Sequence, residues 1–278
     1  MARRRLKVGT PVDGNITILG VVGERTANPV YVVWNHREWC PMACKIYGSY
    51  ALARREAAVV RAFEHPNIVR CLGTGRAGYM LMEFLEGPTL DRYARSQPGG
   101  HLSQADALRA AIHLGSALIH MHARGYLHLD VKPSNAIVVR GRPVLFDLDI
   151  ARRRTGVPQA EGNGTAAYMS PEQCGHERLT RAADVFGLGV TLYEALTGAL
   201  PFPEGRGRNP YPQTKVDATP LRHHLPQAPE KLDEWVQRCL ARRPADRPTL
   251  AALLPALHEW VADGRPMWPE GFNPAVGR

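Results

Sequence analysis

Long hydrophobic runs are missing. None of the 278 residues falls in an uncharged apolar stretch of 18 or more; the nearest, Val185 to Leu200, is broken by Glu194 and reads as a buried helix rather than a membrane span. Cysteine is scarce and irregular. Five cysteines, an odd number without a regular pattern, argue against a disulfide framework and for a reducing, cytoplasmic setting. Cys40 and Cys44 have the wrong spacing for a zinc knuckle and no second pair, so they read as ordinary strand residues. Arg3, Arg4 and Arg5 are not followed by an apolar segment, and no secretory leader is expected. No repeat and no low-complexity stretch is visible. Lysine is the rarest charged residue: five, against 30 arginines. The net charge of +9 therefore reflects arginine usage, and no segment interleaves aromatics with a dense basic patch, so no nucleic-acid partner is expected.

What is present suffices for a packed core, since 44% of the residues are hydrophobic. From Ile16 to Tyr47 the pattern is β-like, in three Val-, Ile- and Tyr-rich pieces separated by turn residues. Ser49 is placed to cap a helix running to Phe63, with Leu52, Val59, Val60 and Phe63 as its apolar stripe and Pro66 as its end. Two more strand-like pieces, Ile68 to Gly75 and Gly78 to Leu85, complete an antiparallel sheet, and Glu86-Gly87-Pro88 reads as a linker. Beyond it the texture turns helical: Ala105–Arg124, Ala182–Thr197, Glu230–Ala241 and Thr249–Trp260. Tyr126–Val139 reads as loop, Val144–Phe146 as a short buried strand, and Pro201–Pro229, with seven prolines, as ordered loop with one short helix. The expected class is α+β: an N-terminal segment 1–15, a small antiparallel β lobe with one helix and a hinge at 16–87, a larger, mainly helical lobe at 88–262, and a tail at 263–278. A crevice between such lobes is where a small ligand usually sits.

The chemistry concentrates in His128-Leu129-Asp130-Val131-Lys132-Pro133-Ser134-Asn135. A carboxylate and an amide five apart on one loop can orient a hydroxyl and ligate a metal, and Asp147, at the end of a buried strand, can hold Mg²⁺ against phosphate oxygens. Alone, such a loop also reads as a turn whose polar side chains satisfy the backbone.

Order and spacing extend the pattern, and from Ile16 to Trp260 the chain resembles the eukaryotic-like (Hanks-type) serine/threonine protein kinases of bacteria. The resemblance implies ATP with Mg²⁺ (or Mn²⁺) as cofactors and protein Ser/Thr hydroxyls as substrates. It makes Lys45 the phosphate-binding lysine and Glu56 its ion-pair partner. Asp130 becomes the catalytic base, Lys132 the contact to the transferred phosphoryl group, and Asn135 and Asp147 the metal ligands. Thr165 would brace Asp130 and Lys132, Asp184 would fasten the catalytic loop from beneath, and Arg247 would pair with Glu172. The adenine pocket would be lined by Val30, Ala43, Met82 and Ile137, with the Glu83 carbonyl and the Leu85 amide as hinge contacts. The physics agrees with these roles: negative charge spreads over three phosphoryl oxygens in transfer, so cations must surround them, and a flexible lysine needs a carboxylate to hold it.

Three departures stand out. Of the glycine-rich phosphate loop only Gly23 keeps its place, with Arg25 and Asn28 in the other two positions, and weakened nucleotide affinity is the expectation. Leu129 replaces the arginine that in the family pairs with a phosphorylated activation loop. Between Asp147 and Glu172 the only hydroxyls are on Thr155, Thr165, Tyr168 and Ser170, so activity independent of loop phosphorylation is expected. Asp147-Leu148-Asp149 stands where the family has Asp-Phe-Gly. The competing readings are a pseudokinase serving as a nucleotide-binding or scaffolding module, and a small-molecule phosphotransferase of the related fold. Regulation by a separately encoded partner is compatible with each.

Overall fold

The computed structural model describes residues 6–23, 28–153, 164–207 and 209–261. Arg25, Thr155 and the tail from 263 lie outside the described residues. By contact the chain divides into two units: one runs to Glu64 and resumes from Ile68 to Glu86, and the other takes His65–Asn67 and the chain from Gly87 onward.

The first unit is a six-stranded antiparallel sheet in the order β1-β2-β3-β4-β6-β5. Its strands are β1 (Pro11–Asp13), β2 (Ile16–Gly23), β3 (Val30–Asn35), β4 (Cys40–Ile46), β5 (Cys71–Gly75) and β6 (Tyr79–Glu83). β1 has too few residues to show a period, yet it pairs with β2 and brings the segment before Ile16 into the sheet. Strand alternation sends Ile16, Ile18, Tyr31, Val33, Met42, Cys44, Tyr79 and Leu81 into one cluster, against which Leu6 and Val12 pack.

The one helix among the described residues of this unit, α1 (Tyr50–Val60), starts at Ser49, whose hydroxyl accepts from the Leu52 amide at 3.4 Å. One expectation about it fails and a second holds only in part. The helix stops at Val60, six residues before Pro66: the Arg61 amide still bonds to Ala57, and then Ala62 and Phe63 tighten into turns onto Val59 and Val60. Its buried stripe is Ala53, Glu56, Ala57 and Val60, while Leu52 is about half exposed. Small residues let the helix lie close on β5 and β6; of the expected apolar stripe Val60 and Phe63 are buried, Val59 is half-buried and Leu52 alone faces outward.

The second unit is mainly helical: α2 (Leu90–Arg95), α3 (Gln104–Ala123), α4 (Pro171–Cys174), α5 (Arg181–Thr197), α6 (Leu221–His224), α7 (Glu230–Cys239) and α8 (Leu250–His258). Its long helices α3 and α5 pack on each other, α8 on α3 and α7 on α5. Tyr126–Val139 is not loop throughout. It holds β7 (Tyr126–Leu127), a 3-10 turn at Pro133–Asn135 and β8 (Ala136–Val139), which forms a hairpin with β9 (Arg142–Leu145). β7 pairs with β10 (Arg152–Arg153). Val138 receives the chain at the unit boundary: its amide donates to Pro88 O, and a Cβ on Gly87 would sit 2.0 Å from its carbonyl oxygen, so only glycine passes there. His65–Asn67 join this unit through Asn67, whose side chain donates to Pro143 O and whose carbonyl accepts from Leu145. No helix among the described residues is long and apolar enough to cross a membrane.

Candidate active site

In the first unit the pleat sorts the site residues. Register pairs Val30 with Lys45, Val32 with Ala43, Ala43 with Met82 and Lys45 with Met80, so these side chains share one face, opposite the Tyr31–Met42–Cys44 cluster. Gly23 lies across from Val30 at the end of β2, after register shifts at Ile18/Gly20 and Val21/Gly23. Lys45 Nζ meets Glu56 Oε1 at 3.0 Å, with the residues only 4% and 8% exposed. A lysine that buried keeps its charge only against a carboxylate, and Glu56 supplies it from the buried stripe of α1. Met82 is buried and Glu83 half-buried, its carboxylate held by Arg70 at 3.0 Å; Leu85 follows β6, half-buried.

In the second unit one carboxylate gathers the loop. Asp130 Oδ2 accepts from Lys132 Nζ at 2.7 Å and from Asn135 Nδ2 at 2.8 Å, and Oδ1 accepts from the Thr165 amide at 3.1 Å. Lys132 Nζ also donates to Thr165 Oγ1. Burial would raise the Asp130 pKa, but the Lys132 ammonium, the Asn135 amide and His128 outweigh it and hold the carboxyl below its ordinary value. It is thus an anion at neutral pH, aimed and hydrogen-bonded. Both Asn135 N–H groups go to Asp130, one to the side chain and one to the carbonyl at 2.9 Å, so the amide oxygen is the side chain's remaining acceptor. The Phe146 amide donates to Asn135 O at 3.0 Å, and Asp147 follows it in the chain at φ 60°. One amide oxygen and one carboxylate are the hard donors that suit Mg²⁺. Ile137, on β8, bridges to Thr89 and is half-buried.

Beneath the loop, Asp184 in the first turn of α5 accepts from the Leu129 amide at 2.7 Å, the His128 amide at 3.0 Å and His122 Nε2 at 2.6 Å. Burial alone would raise its pKa; these donors outweigh it and hold the carboxyl low. Leu129 adopts φ 68°, which a branched residue rarely takes, and the bonds on both its sides fix it there. Gly187 lets α5 approach: a Cβ there would lie 3.2 Å from the Val131 Cβ and carbonyl oxygen. Glu172 and Arg247 form a buried two-bond pair.

Sequence reasoning passed over His122, Gln173 and Gln213. Gln173 Nε2 donates to Leu129 O at 2.9 Å while its Oε1 accepts from the Ser170 amide at 3.1 Å. The Ser-x-x-Gln spacing of a capping box is its signature in the sequence. Gln213 Nε2 donates to Ala166 O and Met169 O, a pairing with no local signal.

Comparison with known proteins places this architecture. Residues 17–261 match the protein kinase domain family. The chain is 35% identical over 220 residues to the serine/threonine-protein kinase PkaA of Streptomyces coelicolor, and 35% identical over 239 residues to PknB of Mycolicibacterium smegmatis. These alignments cover 76% and 78% of this chain but 39% and 37% of the relatives' own lengths. The kinase domain of Mycobacterium tuberculosis PknI superposes with a TM-score of 0.71 at 23% identity, covering 92% of this chain and 99% of that one, and shares its fold. The α+β fold is that of a protein kinase, with an antiparallel sheet and the helix α1 in its smaller unit and mainly helices in its larger. The chain belongs to the protein kinase domain family, and the curated relatives it matches are serine/threonine kinases of bacteria.

Proposed function

We propose that this chain is an active serine/threonine protein kinase, transferring the γ-phosphoryl group of ATP to hydroxyls of protein substrates. The observation that carries this reading is the Asp130 carboxylate, ionised and held in place by Lys132, Asn135 and the Thr165 amide. A carboxylate so placed orients an incoming hydroxyl and accepts its proton as the new P–O bond forms. Lys132 beside it balances charge on the phosphoryl oxygens, and Lys45, fixed by Glu56, does the same for the other phosphates. Asn135 and Asp147 are the residues that would hold Mg²⁺, which when bound neutralises phosphate charge. Val30, Ala43, Met82 and Ile137 would receive the adenine, with the backbone of Glu83 and Leu85 as its hydrogen-bonding edge, and Gly23 would let the chain approach the phosphates.

The activity would be independent of phosphorylation between Asp147 and Glu172. Leu129 is buried and carries no charge to meet a phosphate, while its amide and carbonyl are already bonded to Asp184 and Gln173. The pseudokinase alternative draws on one feature, the retention of Gly23 alone in the phosphate loop. Transfer of label from radiolabelled ATP with Mg²⁺ or Mn²⁺ decides between them, comparing the native chain with Asp130→Asn and Lys45→Met. Equal label in all three removes the kinase reading.

A further inference from the structure

The segment from Gly164 to Ser170 follows the catalytic loop's contact at Thr165 and includes a short 3-10 turn, Ala166–Tyr168. Such a turn satisfies few of its own carbonyls. The amides of Tyr168 and Met169 both fold back onto Thr165 O, so the carbonyls of Ala166 and Met169 need donors from elsewhere. Gln213 provides them. It lies in the proline-rich stretch after α5, in a 3-10 turn at Pro212–Thr214, and is 2% exposed. Its Nε2 carries two N–H groups and reaches Ala166 O at 2.7 Å and Met169 O at 2.9 Å. The Thr165 end of the turn is held by Asp130 and Lys132, and its other end by Gln213. Gln173 ties the following residue, Ser170, to Leu129.

We propose that Gln213 is a positioning residue for phosphoryl transfer: it acts through the Ala166–Met169 turn to set where the acceptor hydroxyl's polypeptide docks relative to Asp130, and with Gln173 it makes a neutral brace that needs no phosphate. The proposal rests on the kinase reading above. A neutral amide bonded to two carbonyls holds the far end of the turn without a phosphate, beside the Asp130 and Lys132 bonds at Thr165 and the bond that the Tyr168 hydroxyl donates to Glu194, consistent with the absence of an arginine at Leu129. Gln213 is hydrogen-bonded to neither Asp130 nor Lys132, so its removal affects acceptor binding and leaves nucleotide binding alone.

The test uses Gln213→Met, close in length but without a donor, and Gln213→Glu, the same shape with an acceptor facing two carbonyls. Dephosphorylated casein is the acceptor probe, and hydrogen exchange of the backbone amides of 164–170 is read on the same samples. The expected result is a KM for casein raised about tenfold or more in both variants, an ATP KM within about twofold of the native value, and faster exchange confined to that segment. Unchanged KM and unchanged exchange overturn the proposal. So does a parallel loss of casein and ATP binding with a lowered melting temperature, which marks Gln213 as part of the general scaffold. If the native chain labels no casein, the kinase reading falls, and the exchange result alone then decides whether Gln213 orders the segment: native-like exchange in the variants rejects the brace as well.

Discussion

Arg247 and Glu172 meet fork to fork, Nη1 to Oε1 at 2.7 Å and Nη2 to Oε2 at 2.8 Å, although 75 residues separate them in sequence. Both side chains are almost wholly buried, and the guanidinium also donates to Ala182 O, Ala241 O and Arg242 O while lying over the Phe186 ring. The planar fork is why arginine serves here. Glu172→Gln leaves a buried cation half unpaired and is expected to cost about 3–5 kcal/mol of unfolding free energy. Arg247→Lys is expected to be similarly damaging, because an ammonium cannot make the paired bonds. Urea titrations of the two variants check both.

Lys45 and Glu56 form the corresponding buried pair of the sheet unit. Glu56→Gln should lower the melting temperature and weaken MgATP binding, since the freed lysine loses both its partner and its single orientation. A thermal-shift titration with MgATP reads both effects at once. A native-like nucleotide response in Glu56→Gln would show that the pair serves only stability.

Asp130→Asn keeps the shape of the side chain and removes the proton acceptor. Phosphoryl transfer is expected to fall about 10²- to 10⁴-fold with the fold intact. Single-turnover transfer measured beside circular dichroism separates the two.

Thr155→Ala is expected to leave the transfer rate unchanged. Phosphatase treatment followed by kinetics gives the same comparison without substitution. A rate that depends fully on phospho-Thr155 would overturn phosphorylation independence.

Acid should weaken the fold through His65. Its Nδ1 accepts from the Asn67 amide at 3.1 Å and its Nε2 lies 3.2 Å from Ser116 Oγ, which is the neutral tautomer's arrangement. Burial, then His120, Arg142, His113 and Arg124, lower its pKa from 6.5 to about 4. The unfolded chain therefore takes up a proton that the folded one refuses. The stabilisation is full above pH 6.5 and is lost progressively as pH falls toward 4. His65→Asn should flatten that part of the stability profile, measured by urea midpoints between pH 4 and 7.

Much of this is legible in the sequence, because the relevant patterns are local. Val-, Ile- and Tyr-rich pieces between turn residues mark β2 to β4, Ser49 marks the start of α1, and the spacing from Asp130 to Asn135 marks the loop that gathers on one carboxylate. The misreadings have a common cause. Leu52 was assigned to the buried stripe by its hydrophobicity, but the close approach to β5 and β6 selects Ala53 and Ala57 instead. β1 and β8 are short, and their pairing partners are what define them. Gln213 carries no periodicity or motif at all. Its role arises from two carbonyls more than forty residues away.

The lysine inventory has a practical corollary. Lys7, Lys215 and Lys231 stand in solvent, whereas Lys45 and Lys132 are folded in against carboxylates. Among the lysines, amine-directed chemistry, whether a fluorophore, a biotin or a sensor chip, will thus favour the three peripheral side chains over the two held against carboxylates. Immobilised or dye-labelled preparations should keep the working parts of the molecule chemically untouched.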